Sequence, residues 1–342
     1  MRVADYLIKR LHDKYGVKYI SFITGNGALV LNDAVAKNKN ITPICVHHEQ
    51  DAGYFALGYS KYKNEISVVT PTTGCAGTNC ITPLLAAYQD HVPILFLSGN
   101  VASKQTSFYH KKNHDIILKK LGTQEVNIVE IIKSITKYST IILDEKLIKH
   151  ELDKAIDIAL TPPFGPVWVD LPADIGATTI IEEELINYEK EINTLSEKNY
   201  LEKIKNLLID LEKSQRPLVL AGNGIKLSNS QKELDSFLKK YKIPAVFTYG
   251  GIDCLNYTNQ LNIGRIGVKG DRAGNFAIQN CDLLLVLGAC LNTPQVGYMS
   301  EKFASKAKKI IVDIDIENHK KNTVKIDEII QCSLEDFFKY VN

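Results

Sequence analysis

Val46-His47-His48-Glu49-Gln50-Asp51-Ala52-Gly53-Tyr54-Phe55-Ala56-Leu57-Gly58-Tyr59 is the stretch from which the fold of this chain is most readily argued. The short apolar run before it, residues 42–46, has the character of a buried strand, and it delivers two His and a Glu to the start of a helix. Glu in a first helical turn is favoured by the helix dipole. Strand running straight into helix is the βα unit of a parallel sheet. His47, His48 and Glu49 make a poor metal set, because adjacent strand residues point to opposite faces. Neither the dipole nor a metal accounts for the small residues Ala52, Gly53, Ala56 and Gly58, which suggest that something packs closely on this helix.

Working outward, residues 1–175 alternate short β-branched runs with helical patterns. Strands are expected at 19–23, 42–46, 66–69, 94–98 and 166–170, with helices after Asn32, Glu49 and Thr78 and near Val129. Three strands end in turns of Gly and small residues: Thr24-Gly25-Asn26-Gly27, Thr72-Thr73-Gly74-Cys75-Ala76-Gly77 and Ser98-Gly99-Asn100. One such Gly merely permits a tight turn. Three on one sheet edge point to a site, since ligands of open α/β sheets lie outside the carboxyl ends of the strands. Composition changes near Ile180: residues 181–213 are rich in Glu, Lys and Asn, lack Pro and Gly, and read as a solvated linker entering an amphipathic helix. Beyond it, Arg216-Pro217-Leu218-Val219-Leu220-Ala221-Gly222-Asn223-Gly224 is strand then turn, and further strands are expected at 245–248, 283–287 and 309–314. The fold class is therefore α/β, two doubly wound parallel-sheet domains, the second Rossmann-like. They span 1–178 and 201–342, with a linker at 179–200.

Composition narrows the function. The 342 residues suit two domains, and 45% hydrophobic with 23% charged residues is ordinary for a globular chain. A formal charge of +2 and only five Arg beside many Lys give no field or set of guanidinium forks for nucleic acid. No run approaches the ~18 apolar residues of a membrane helix, and Met1-Arg2-Val3-Ala4-Asp5 does not open a signal peptide, so a cytoplasmic protein with no membrane partner is expected. Seven Cys without a CxxC pair argue against a disulfide framework and a zinc site. Gly222-Asn223-Gly224 is half a dinucleotide fingerprint, with Leu227 at the third Gly position, which weakens an NAD-dependent oxidoreductase. Asp313 and Asp315, at the end of a strand, could touch a ribose or cap the next turn; capping is the favoured role.

Several ordered motifs resemble the thiamine-diphosphate-dependent enzymes of the acetolactate synthase type. His48-Glu49-Gln50 with Ala52, Gly53 and Gly58-Tyr59 is similar to the family's HEQ motif. Thr72-Thr73-Gly74-Cys75-Ala76-Gly77-Thr78-Asn79 is similar to its TSGPGATN turn, and Ala87-Tyr88-Gln89-Asp90-His91-Val92-Pro93 with Ser98-Gly99 to the segment after it. Gln124-Glu125-Val126-Asn127-Ile128-Val129 and Ile135-Thr136-Lys137 resemble its QEVDIV and ITK segments. Gly264-Arg265-Ile266-Gly267 and Gly270-Asp271-Arg272-Ala273-Gly274-Asn275-Phe276-Ala277 are similar to the central domain of a polysaccharide-cluster branch.

The resemblance implies that 1–178 is a pyrimidine-binding domain and that Glu49 holds the aminopyrimidine of thiamine diphosphate, promoting loss of the cofactor's C2 proton. Thr73, Gly74 and Asn79 would lie near the pyrimidine, Gly25, Asn26 and Gly27 toward the thiazolium, and Lys137 toward the substrate. His47, His48 and His91 are candidates for proton transfer, His48 first because it adjoins Glu49. Asn100 stands where the family usually has Gln. The substrate would be pyruvate or another 2-oxo acid, used in decarboxylation and carboligation, and a homo-oligomer is expected by analogy. FAD binding in the central domain is possible in this family but has no support in these residues. The family's GDG turn, which holds Mg²⁺ and diphosphate, is not found: Gly270-Asp271-Arg272 lacks the second Gly, and no metal ligand is assigned. A diphosphate-binding domain supplied by a separate protein is therefore expected, the alternative being a truncated, catalytically silent or regulatory homologue.

Overall fold

A computed structural model describes residues 1–190, 198–321 and 323–342, in two compact units, Met1–Ile192 and Asn193–Asn342. The first carries strands β1 (Tyr19–Phe22), β2 (Thr42–Cys45), β3 (Ser67–Thr70), β4 (Ile94–Asn100), β5 (Tyr138–Ile141) and β6 (Val167–Pro172). Its helices are α1 (Val3–Asp13), α2 (Leu29–Lys37), α3 (Glu49–Lys63), α4 (Cys75–Asn79), α5 (Ile81–Gln89), α6 (Ser107–His114), α7 (Ile128–Ile132), α8 (Ile148–Leu160) and α9 (Ala173–Ala177). All six strands are parallel, in the order β2-β1-β3-β4-β6-β5.

Strand alternation explains the layering. Leu95, Leu97, Val167 and Val169 face the core built with α1, α2 and α8, while Ile94, Phe96 and Trp168 face the core of α3, α5 and α7. A sheet buried on both faces needs near-continuous apolar strands, and β4 and β6 are buried throughout. The order reverses between β1 and β3, which makes their carboxyl ends the switch point of this sheet.

Residues 179–190 depart from the expected solvated linker. Ile180 and Leu185 are buried in the first core, Ile180 N–H donates to Met1 O, and Lys190 pairs with Asp157. Two apolar residues among the charges suffice to lay the segment on the unit. Residues 191–197 lie outside the described residues.

The second unit has β7 (Pro217–Ala221), β8 (Ala245–Phe247), β9 (Asn262–Arg265), β10 (Leu283–Leu287), β11 (Lys308–Asp313) and β12 (Glu328–Gln331), in the parallel order β12-β11-β10-β7-β8-β9. Its helices are α10 (Lys198–Lys213), α11 (Gly224–Leu227), α12 (Gln231–Tyr241), α13 (Arg272–Asn280), α14 (Thr293–Val296) and α15 (Leu334–Val341). Tyr200, Ile204, Leu207 and Leu211 form the buried stripe of α10 at helical spacing and join Phe237, Phe337 and Phe338 on one sheet face. No helix among the described residues is long and apolar enough to cross a membrane.

Candidate functional site

Glu49 is the first residue of α3, and His48 is its N-cap: the His48 Nδ1 accepts the Gln50 N–H at 3.1 Å. That cap satisfies one of the orphan donors of a helix start and fixes the direction in which Glu49 leaves the chain. Glu49 Oε2 accepts from Asn79 Nδ2 at 2.9 Å, and Cys80 Sγ lies 3.5 Å from the Glu49 carbonyl. Glu49 follows β2 and Asn79 follows β3, the two strands that flank β1. The carboxylate and the amide, 30 positions apart in sequence, thus meet at the switch-point edge.

Three strand-end turns interlock beside this pair. The Ala28 N–H donates to Thr72 Oγ1 at 3.1 Å, and Thr73 Oγ1 donates to Gly99 O at 3.3 Å. A Cβ on Gly25 would stand 2.3 Å from Thr72 Cγ2, one on Gly27 1.7 Å from Thr73 Oγ1, and one on Gly99 2.3 Å from Gly27 O. Gly25 and Gly27 are therefore required by the contact of turn with turn; threonine side chains fill the room their Cβ atoms would need. Gly74 has φ +63°, and a Cβ there would collide with Gln124 O. Thr73 is buried, whereas Asn26, His47, His48 and Asn79 are exposed at this edge.

Small residues on α3 have the same kind of cause. Gly53 admits Pro83 of α5, Ala52 and Ala56 are buried under the sheet, and Ser21 and Ser67 hydroxyls donate to the carbonyls of Ala52 and Ala56. Gly58 meets nothing within 4 Å, so the expected close partner is the unit itself and does not extend to Gly58.

Three of the expected candidates do not present their side chains at this edge. Lys137 precedes β5 and so stands at the amino edge of a wholly parallel sheet. Its Nζ donates to Ile158 O at 2.6 Å and Thr161 O at 2.5 Å, closing the carboxyl end of α8, and burial lowers its pKa to about 8. Asn100 is at the correct edge but turned inward: its Nδ2 donates to Asp170 Oδ2 at 2.6 Å and its Oδ1 accepts the Val101 N–H at 2.8 Å. At 3% exposure its amide is spent inside the protein. His91 also lies at the amino edge, in the turn before β4.

Asp170, which the sequence marks only as a strand end, is buried near this edge. It takes hydrogen bonds from Ser98 Oγ and Asn100 Nδ2, and Ser98 Oγ in turn accepts from Trp168 Nε1 at 2.8 Å. Burial raises its pKa to about 6 against the lowering effect of the two donors, and Glu125 adds to the rise. The available signal was an acid closing the apolar run Val167-Trp168-Val169.

In the second unit, Gly222 and Gly224 pack on Gly288, the corresponding switch point between β7 and β10. Asp313 is engaged by His319 Nε2 at 3.0 Å and by the Asp315 N–H, and Asp315 accepts the Glu317 N–H, so both acids serve the local turn.

The fold and this edge define an α/β chain of two doubly wound domains with a carboxylate set at the switch point of the first. It belongs to the thiamine pyrophosphate enzymes, of which it carries the N-terminal TPP-binding domain, matched over residues 1–131, and the central domain, matched over 204–339. It is similar to the acetolactate synthase large subunit of Lactococcus lactis, 31% identical over 312 residues that cover 91% of this chain and 52% of that protein. A probable acetolactate synthase large subunit of Methanocaldococcus jannaschii is 30% identical over 92% of this chain and 51% of its own length. The chloroplastic acetolactate synthase of Arabidopsis thaliana is 28% identical over 93% and 46%. This chain spans about half the length of these relatives.

Proposed function

We propose that these residues form the aminopyrimidine-binding half of a thiamine-diphosphate site that decarboxylates a 2-oxo acid such as pyruvate and joins the product to a second carbonyl, as the acetolactate synthase relatives suggest. The observation that carries this reading is the placing of Glu49 at the start of α3 against Asn79. One carboxylate oxygen accepts from Asn79, which leaves Oε1 for a ring nitrogen, and a carboxylate held by a capped helix start has a defined direction. The cofactor, when bound, supplies the nucleophilic carbon and the electron sink for decarboxylation. Glu49 holds a proton toward the ring nitrogen, Asn79 keeps the carboxylate in place, and the seam of Gly27, Thr73 and Gly99 gives a rigid floor. Mg²⁺ and the diphosphate are assigned to residues outside these 342, in a diphosphate-binding domain.

A second copy of the chain is proposed to cover α3 and α5, where Tyr54, Phe55, Leu85 and Tyr88 are exposed. All seven cysteines are unpaired, which suits the reducing cytoplasm. The test is Glu49→Gln in the assembly that includes the diphosphate-binding residues. Thiamine-diphosphate-dependent CO₂ release from pyruvate should fall by about 100-fold or more, with the melting temperature unchanged. Full activity in that variant refutes the reading.

A further inference from the structure

Asp170 is a buried acid that the proposed chemistry does not use. Every polar group on it is a donor: Ser98 Oγ on one oxygen and Asn100 Nδ2 on the other. The chain's one tryptophan, Trp168, stacks on Phe96 and donates to the same Ser98 hydroxyl. Between Ser98 and Asn100 sits Gly99, whose N–H donates to Pro71 O and whose carbonyl accepts from Thr73. Gly99 is also the residue against which Gly27 and Ala28 close. A chain of contacts thus runs from Asp170 through its two neighbours on β4 to the three turns beside Glu49 and Asn79.

We propose that Asp170 is a positioning residue whose ionised carboxylate, through Ser98 and Asn100, holds the end of β4 in the seam that floors the site. This rests on the proposed function only for what the seam borders. Protonation of Asp170 takes away the charge that strengthens both hydrogen bonds and turns the one with Ser98 round, so both tethers weaken when the acid takes a proton. Of the charged groups on the elements around it, Glu125 repels it, Asp174 of α9 accepts from Ser103, Asp153 of α8 is paired with Arg10 and Lys14, and Glu130 of α7 is exposed. The other titratable groups of α8, Lys149, His150, Glu151, Lys154 and Asp157, are half-buried, with Tyr138 bound to Glu151 and Lys190 to Asp157. Because burial holds its folded pKa near 6, above the unfolded 3.8, the ionised form weakens folding as pH rises through that window. A group kept ionised against its own stability at neutral pH, at the edge of a site, fits a positioning role better than a structural one.

Trp168 makes the proposal readable without cofactor. Its fluorescence in the whole chain should show a transition with a midpoint near pH 6. The transition should vanish in Asp170→Asn and move upward in Asn100→Ala, which removes one of the donors that favour the anion. At pH 7.5, amide exchange across 24–29 should be at least about 10-fold faster in both variants, while β7 of the second unit stays protected. In the assembly that turns over pyruvate, both variants should raise the half-saturating thiamine diphosphate concentration about 10-fold and keep the saturated rate within about 3-fold. A titration that is flat, or that survives in Asp170→Asn, overturns the proposal, as does unchanged exchange at 24–29 or unchanged half-saturation. An assembly inactive in its parent form would refute the proposed function, and the first two readouts would still decide the role of Asp170.

Discussion

At the scale of single residues, side chains of similar appearance in the sequence have been put to opposite uses. Glu49 and Lys137 both stand in motif-like positions, but one opens a helix at the carboxyl edge and the other closes a helix at the amino edge. Lys137→Met should therefore leave catalysis by the assembly unchanged and cost about 1 kcal/mol of stability through two lost hydrogen bonds, measurable by urea unfolding. Asp153 is an acid with a purely structural part. Arg10, Lys14 and Tyr15 all reach it, tying α1 to α8. Burial pushes its pKa up, but those bonds outweigh burial and hold it below 3.8. A depressed carboxyl stabilises the fold above its unfolded pKa and loses that contribution as pH falls below about 4. Asp153→Asn should cost about 3 kcal/mol at pH 7, because it leaves Arg10 poorly paired, and the gap to the parent should shrink toward pH 3 in denaturant titrations.

Among elements, the glycine turns give the sharpest contrasts. Gly99 is boxed by backbone atoms of Gly27 and Ala28 that cannot step aside. Gly99→Ala should cost about 3 kcal/mol or more and loosen the seam. Gly58, in the interior of α3 with open space where a Cβ would stand, behaves oppositely: Gly58→Ala should stabilise by about 0.5–1 kcal/mol. Thermal melts of the two variants side by side check both signs. The central strands were legible because burial on both faces demands apolar runs, as in Leu283–Leu287. Three strands that the sequence pattern does not reveal, β5, β9 and β12, lie at sheet edges and are only half-buried. Edge strands need less apolar surface, so Tyr-Ser-Thr-Ile and Asn-Ile-Gly-Arg carry little strand signal.

For the molecule as a whole, each unit has its own two-sided core, with Phe96 and Trp168 central to one and Phe237, Phe337 and Phe338 to the other. Chains cut to residues 1–192 and 193–342 should each unfold cooperatively in calorimetry; a featureless melt of either would contradict the division. The sequence by itself determined the class and its layout: apolar runs with the period of buried strands, glycines where strands turn into helices, and motifs that matched a family over two domains. Those are local properties, written in spacing and composition. Which polar residues share an edge is not local. In a parallel sheet, residues before and after a strand end on opposite sides, some 10–20 Å apart, so only the tertiary structure could separate Lys137 and His91 from Glu49. It also turned Asn100 inward, because Asp170 on the neighbouring strand offered a buried carboxylate that its amide had to satisfy.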